Sequence, residues 1–119
     1  MFVGPSSSEG QQKLDLTIII DAIQQKWSDA VIKLQEDTDV PLRWNVLSES
    51  WYLECSIIRG YSVSIRSNDN AVKVETIIWF CGLAHFNDLF LYDANSASNP
   101  LRWSEEITSD EILEWLDSL

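Results

Sequence analysis

Basic residues are scarce in this chain of 119 amino acids. It has 8 Lys and Arg against 19 Asp and Glu, so its formal net charge is −11. Nucleic-acid phosphates and anionic lipid headgroups attract clusters of Lys and Arg. The charge balance therefore argues against binding to nucleic acid or to a membrane surface. It suits solubility, or the electrostatic capture of a basic protein partner.

Residues that commonly carry out catalysis are also few. His85 is the single histidine, and no third residue can be identified that would orient it towards Cys81, four positions earlier. The histidine and the two cysteines lack the spacing of zinc ligands, and the 4 glycines form no phosphate-binding loop. We therefore expect no catalytic site, no metal site and no cofactor, and the protein is not expected to be an enzyme.

Long apolar segments are lacking as well. No apolar run approaches the about 20 residues that span a bilayer, and residues 1–8 do not have the basic start and apolar stretch of a secretory signal. Cys55 and Cys81 both lie in apolar surroundings, which favours buried free thiols over a disulfide bond. These features predict an intracellular, cytoplasmic protein.

The hydrophobic pattern predicts a flexible tail over residues 1–10 and a single α+β domain over residues 11–119. Apolar residues recur at intervals of three and four from about residue 12 to 36, which predicts an N-terminal helix. Thr108 and Glu111 have the spacing of a capping box, which predicts the start of a C-terminal helix. Both helices are expected to cover one face of a sheet.

Four strands in an antiparallel meander are predicted between the helices, over residues 51–57, 61–65, 72–80 and 89–92. A three-residue loop, Ile58-Arg59-Gly60, would place Ile57 opposite Tyr61 and would put Gly60 in the left-handed conformation.

The third predicted strand is apolar on both sides, so part of it would be exposed on the face that the helices leave uncovered. Ile77 and Trp79 would point to that face together with Ile58. An exposed apolar patch of this kind marks a binding surface. We expect it to be the interface of a homodimer or a ligand groove, with cover by the N-terminal tail or by residues 95–103 as a third interpretation.

The tetrapeptide Pro-Leu-Arg-Trp occurs twice, at residues 41–44 and 100–103. Proline does not continue a helix, so each copy is predicted to lie on a turn that carries a cation and a large aromatic ring. In the structural interpretation, each Arg lies along the neighbouring indole. In the functional one, the pairs form partner-binding elements: Arg43 with Trp44, and Arg102 with Trp103.

The acidic C-terminal helix is the most direct candidate for a docking surface. Glu111, Glu114 and Asp117 are either its solvated side or the contact site of a basic protein partner. The expected function is that of a small, non-catalytic interaction protein that binds or masks a basic partner, in a toxin-neutralising or chaperone-like manner. The alternative is a small-molecule-binding module that uses a Trp-lined groove on the sheet.

Overall fold

Seven antiparallel strands and three helices make up the part of the chain that the computed structural model describes, which is residues 1–84, 86, 88–93 and 100–119. The strands form one sheet in the order β2-β3-β4-β5-β1-β6-β7. The predicted α+β class is confirmed, but the four-stranded meander is wrong: one of the four predicted strands is a helix, and four further strands (β1, β2, β3 and β7) join the sheet. The elements are β1 Phe2–Gly4, α1 Leu16–Lys26, β2 Val31–Leu34, β3 Leu42–Leu47, β4 Tyr52–Ile58, β5 Ser62–Ser67, α2 Asn70–Leu83, β6 Phe90–Tyr92, β7 Leu101–Arg102 and α3 Ser109–Asp117.

The hydrophobic core lies on one face of the sheet. Side chains alternate between the two faces along a strand, and in β4 the buried Leu53, Cys55 and Ile57 alternate with less buried Glu54 and Ser56. Buried residues of the other strands and of all three helices belong to the same core, among them Val3, Trp44, Ile65, Leu91, Ile19, Ile23, Ile77, Phe80, Ile112 and Leu116. The opposite face, called the open face below, carries exposed and half-buried side chains.

The predicted N-terminal helix is too long. Helix α1 begins after Asp15, whose carboxylate accepts hydrogen bonds from the backbone N–H groups of Thr17 and Ile18, and it ends at Lys26. Residues 31–34 then form β2, which pairs with β3 in a hairpin. Apolar residues continue to recur every three or four positions past residue 26. This spacing does not reveal that the chain leaves the helix and forms a strand from residue 31, because the strand depends on its pairing with β3.

The third predicted strand is wrong, because residues 72–80 belong to helix α2. Asp69 caps this helix by accepting hydrogen bonds from the backbone N–H groups of the residues two and three positions on. Ile77, Phe80, Cys81 and Ala84 are buried, and their spacing is that of one helical face. An apolar run of this length fits either a buried strand or a buried helix, so alternation alone could not distinguish them.

The N-terminal segment, expected to be a flexible tail, contributes a central strand. β1 lies between β5 and β6, with Val3 opposite Val63 on one side and Leu91 on the other. Val3 is fully buried. Only three residues form this strand, which is too short to produce a recognisable alternation in the sequence.

The β4–β5 hairpin has the predicted faces but not the predicted register. Ile57 lies opposite Val63 instead of Tyr61, and the loop between the paired ends is formed by residues 59–61. The positive φ of Gly60 is confirmed at 83°, and Arg59 also has a positive φ, of 55°. Because the register differs by two residues, the same side chains still point to the core.

Candidate functional site

Helix α3 presents four exposed carboxylates, called the acidic helix surface below: Asp110, Glu111, Glu114 and Asp117. The predicted helix start is confirmed, because Thr108 Oγ1 accepts a hydrogen bond from the backbone N–H of Glu111 at 3.1 Å. The capping box is only half formed, because the Glu111 carboxylate bonds to the hydroxyl of Thr108 and not to its backbone N–H. Ile112 and Leu116 are buried in the core. Since these two residues hold one side of the short helix inwards, the carboxylates on the remaining sides point to solvent.

Two of these carboxylates are held by neighbouring polar groups. Glu111 Oε1 accepts a hydrogen bond from Thr108 Oγ1 at 3.2 Å, and Asp117 Oδ1 accepts one from Asn70 Nδ2 at 2.9 Å. No Lys or Arg occurs in residues 103–119. Arg66 and Glu54 form an ion pair at 3.9 Å, whereas the four carboxylates of the acidic helix surface form none with a described residue. The negative charge of the acidic helix surface is therefore not compensated within that part of the chain.

The two Pro-Leu-Arg-Trp copies lie in strands and not on turns. In β3, Arg43 is exposed on the open face, whereas Trp44 on the core face is only 2% exposed. Arg102 is exposed in β7, and Trp103 directly after it is half-buried. Five strand-to-strand steps separate β3 from β7, which is about 24 Å at the usual strand spacing. The structure therefore does not bring the two copies together.

Three tryptophans, the buried Trp44 and the half-buried Trp27 and Trp79, form a cluster at the border of the core, called the tryptophan cluster below. The ring centroids lie 4.9 Å apart for Trp27 and Trp79, 5.8 Å for Trp44 and Trp79, and 6.5 Å for Trp27 and Trp44. The Nε1 atom of Trp44 is buried and has no hydrogen-bond partner among the described residues. The cluster joins α2 and β3 to the residue that caps the end of α1, and the side chain of Trp44 lies on the core face of the sheet.

The predicted dimer or ligand face does not exist as one surface. Ile77 is fully buried in α2, and Trp79 on the same helix packs in the tryptophan cluster. Ile58 lies at the end of β4 on the open face. The physical reason is the change of element: residues two apart share a face in a strand but not in a helix.

The open face has a charge character opposite to that of the rest of the molecule. All five charged residues of the strands lie on it, and four of them are basic: Lys33, Arg43, Arg66 and Arg102, with Glu54 as the acidic one. Half of the basic residues of the chain, but only one of its 19 acidic residues, are therefore found in strands. This segregation was not predicted, because β2 and β3 were not recognised as strands. The available signal was the alternation of Arg43 and Asn45 with the apolar Leu42, Trp44 and Val46.

The two thiols are poorly suited to nucleophilic chemistry. Cys55 and Cys81 are free and buried, as predicted. Burial raises the pKa of the Cys81 thiol to about 12, and burial together with the charge of Glu54 raises the pKa of Cys55 well above its ordinary value. Because the thiolate is the reactive form, both thiols should react slowly. His85, the other half of the weighed Cys/His pair, lies outside the described residues.

Within the described ranges, no three His, Cys, Asp or Glu side chains come together as a group that could hold a metal ion. None of the helices found there combines the length and the apolar character needed to cross a bilayer.

Comparison with known proteins adds no relative. No protein-family model matches the chain, and no curated protein or solved structure is significantly similar to it. A functional proposal must therefore be built on the geometry and charge described above.

Proposed function

We propose that this protein is a non-catalytic interaction protein that binds or masks a basic protein partner through the acidic helix surface. The observation that carries the proposal is the row of exposed α3 carboxylates with no basic residue in residues 103–119. A toxin-neutralising or chaperone-like role fits this chemistry, because both cover a cationic surface of another protein. A cytoplasmic location is part of the proposal, and the two free thiols agree with a reducing compartment.

Electrostatics supports this surface in two ways. The net charge of −11 attracts a cationic partner from a distance and raises the association rate. Salt weakens this attraction, because charges further apart than the Debye length, about 8 Å at physiological ionic strength, are largely screened. At short range, the hydrogen bonds to Glu111 and Asp117 already orient two of the carboxylates. These two side chains therefore lose less conformational entropy on binding a Lys or Arg of the partner than freely rotating side chains would.

The alternatives have weaker support. A homodimer and a Trp-lined ligand groove both relied on a common surface of Ile58, Ile77 and Trp79. Ile77 is fully buried and Trp79 packs against Trp27 and Trp44, so these residues offer little to a second subunit or to a small molecule.

The test neutralises the surface without removing its hydrogen bonds. In the triple variant Glu111→Gln, Glu114→Gln and Asp117→Asn, the amides can still accept from Thr108 and Asn70. We expect a lysine-rich peptide, titrated into the isotope-labelled protein at low salt, to shift the amide resonances of α3 in the wild type. The triple variant should bind it roughly tenfold more weakly, because three ionic contacts are lost.

A matched control separates local docking from overall charge. The variant Asp21→Asn, Asp29→Asn and Glu49→Gln removes the same charge from exposed positions elsewhere. It should bind the peptide nearly as well as the wild type, and circular dichroism should show that both variants are folded. Equal weakening in the two variants, or shifts that avoid α3, would contradict docking on this helix.

A further inference from the structure

Two basic residues lie next to each other on adjacent strands of the open face. Lys33 of β2 lies directly opposite Arg43 of β3, and both are exposed. Strands are about 4.8 Å apart, and like charges directly opposite each other destabilise a sheet. Neither residue forms an ion pair with any described residue, and the residues outside the described ranges include no Asp or Glu. Lys33 and Arg43, called the basic pair below, therefore have no acidic partner within the protein, although the chain has 19 acidic residues.

The basic pair borders a shallow depression of about 390 Å³ in the open face. Its walls include the side chains of Val31, Asn45, Ser56 and Glu54. The amide of Asn45 and the hydroxyl of Ser56 are hydrogen-bond donors beside the two cations. The negative charge of Glu54 is paired with Arg66 at 3.9 Å. The electrostatic potential at the other end of the depression, beside Lys33 and Arg43, is therefore positive.

We propose that this depression is a second docking site, and that its occupant is a short acidic segment of a protein partner whose carboxylates bind Lys33 and Arg43. Charge complementarity identifies the chemistry, since Arg and Lys bind carboxylates through charge-assisted hydrogen bonds. Val31 is 67% exposed at the edge and provides an apolar contact next to the charges. The site is independent of the acidic helix surface, which binds the opposite charge.

The rest of the molecule restricts the occupant to a short segment of a protein. A nucleic acid carries phosphates along its whole length, and 18 of the 19 acidic residues lie outside the strands and repel it beyond the depression. A second copy of this chain would bring another 11 negative charges. A segment with two or three carboxylates is short enough to bind within the positive potential of the depression without reaching the acidic residues beyond it.

The experiment compares two variants that remove the same charge. Lys33→Gln with Arg43→Gln removes the basic pair, whereas Lys13→Gln with Lys26→Gln neutralises exposed cations just before α1 and at its end. The probe is a labelled peptide that alternates Glu and Val, measured by fluorescence anisotropy at low salt. We expect the first variant to bind it roughly tenfold more weakly than the wild type, and the control to change by less than about twofold.

Stability provides a second measurement. Because the basic pair is repulsive, the Lys33→Gln, Arg43→Gln variant should unfold at the same urea concentration as the control variant, which has the same net charge, or at a higher one. A lower midpoint would show that the two residues are structural and would overturn the proposal. So would equal weakening of peptide binding in both variants, or no binding to the wild type.

Two further measurements test the identity of the occupant. A single-stranded oligonucleotide that binds more tightly than the peptide and depends on Lys33 and Arg43 would assign the site to nucleic acid. Concentration-dependent sedimentation of the wild type that the variant abolishes would assign it to a second copy. Either result would overturn the acidic-peptide proposal without affecting the test of α3.

Discussion

At the scale of single residues, the two tryptophans of the Pro-Leu-Arg-Trp repeats show how one local sequence acquires two roles. Trp44 packs against Trp27 and Trp79 and is 2% exposed. Trp103 follows the edge strand β7, where its backbone N–H donates to the carbonyl of Leu89 at 2.8 Å and its side chain is only half-buried. The difference comes from position in the sheet, because β3 lies over the helices and β7 lies at an edge.

The first prediction compares these two residues. Trp44→Ala should lower the free energy of unfolding by about 3–5 kcal/mol, the usual cost of removing a large buried aromatic side chain. Trp103→Ala should cost clearly less, since part of that side chain is already in water. Trp44→Phe serves as a control and should cost less than Trp44→Ala, because it keeps a ring and removes an N–H without a partner. Urea denaturation measures all three, and equal losses at the two tryptophans would contradict the prediction.

At the scale of elements, the short strand β1 holds the two parts of the sheet together. It pairs with β5 on one side and with β6 on the other. Gly4 permits this close packing, since a Cβ atom at that position would lie 2.6 Å from the Cβ atom of Ser62. The glycine is therefore required by the neighbouring strand and not by its own backbone conformation.

The second prediction uses this contact. Gly4→Ala should destabilise the protein by about 1–3 kcal/mol, because β1 or β5 must move to admit the methyl group. Gly82→Ala is the matched change in α2, where the added Cβ would meet nothing within 4 Å apart from its chain neighbours and the nearby backbone of its own helix. It should stabilise the helix by about 0.5–1 kcal/mol. Thermal and urea denaturation should show opposite signs for the two variants, and a neutral Gly4→Ala would show that β1 is not tightly held.

At the scale of the whole molecule, charge is separated by secondary structure. The strands carry four basic residues and one acidic residue, all on the open face, while the helices and loops carry the remaining 18 acidic residues. The two proposed docking surfaces therefore have opposite charge. The excess of negative charge outside the strands also makes the folded molecule repel itself.

The third prediction follows from this self-repulsion. Raising NaCl from about 0.01 M to about 0.3 M shortens the Debye length and should raise the free energy of unfolding, by on the order of 1 kcal/mol. The gain should be smaller in the Glu111→Gln, Glu114→Gln, Asp117→Asn variant, which carries less charge. Urea titrations at the two salt concentrations measure the effect, and a midpoint that falls with salt would contradict it.

The sequence by itself determined the features whose causes are local. Thr108 and Glu111 cap α3 because the two groups are three residues apart, and Gly60 has a positive φ because the hairpin turns there. The exposure of the α3 carboxylates follows from the buried positions of Ile112 and Leu116. Each of these depends on a few neighbouring residues, so a pattern in the chain is enough to predict it.

Only the tertiary structure decided the features that depend on distant partners. Residues 72–80 are mostly apolar, with Lys73 and Glu75 as the charged exceptions, and they become a helix because that shape packs on the sheet. Phe2–Gly4 becomes a strand because it pairs with β5 on one side and β6 on the other. The basic pair could not be predicted either, because Lys33 and Arg43 become neighbours only when β2 pairs with β3. The physical reason is common to all three: a short segment takes the conformation that its contacts stabilise most, and those contacts come from residues far away in the sequence.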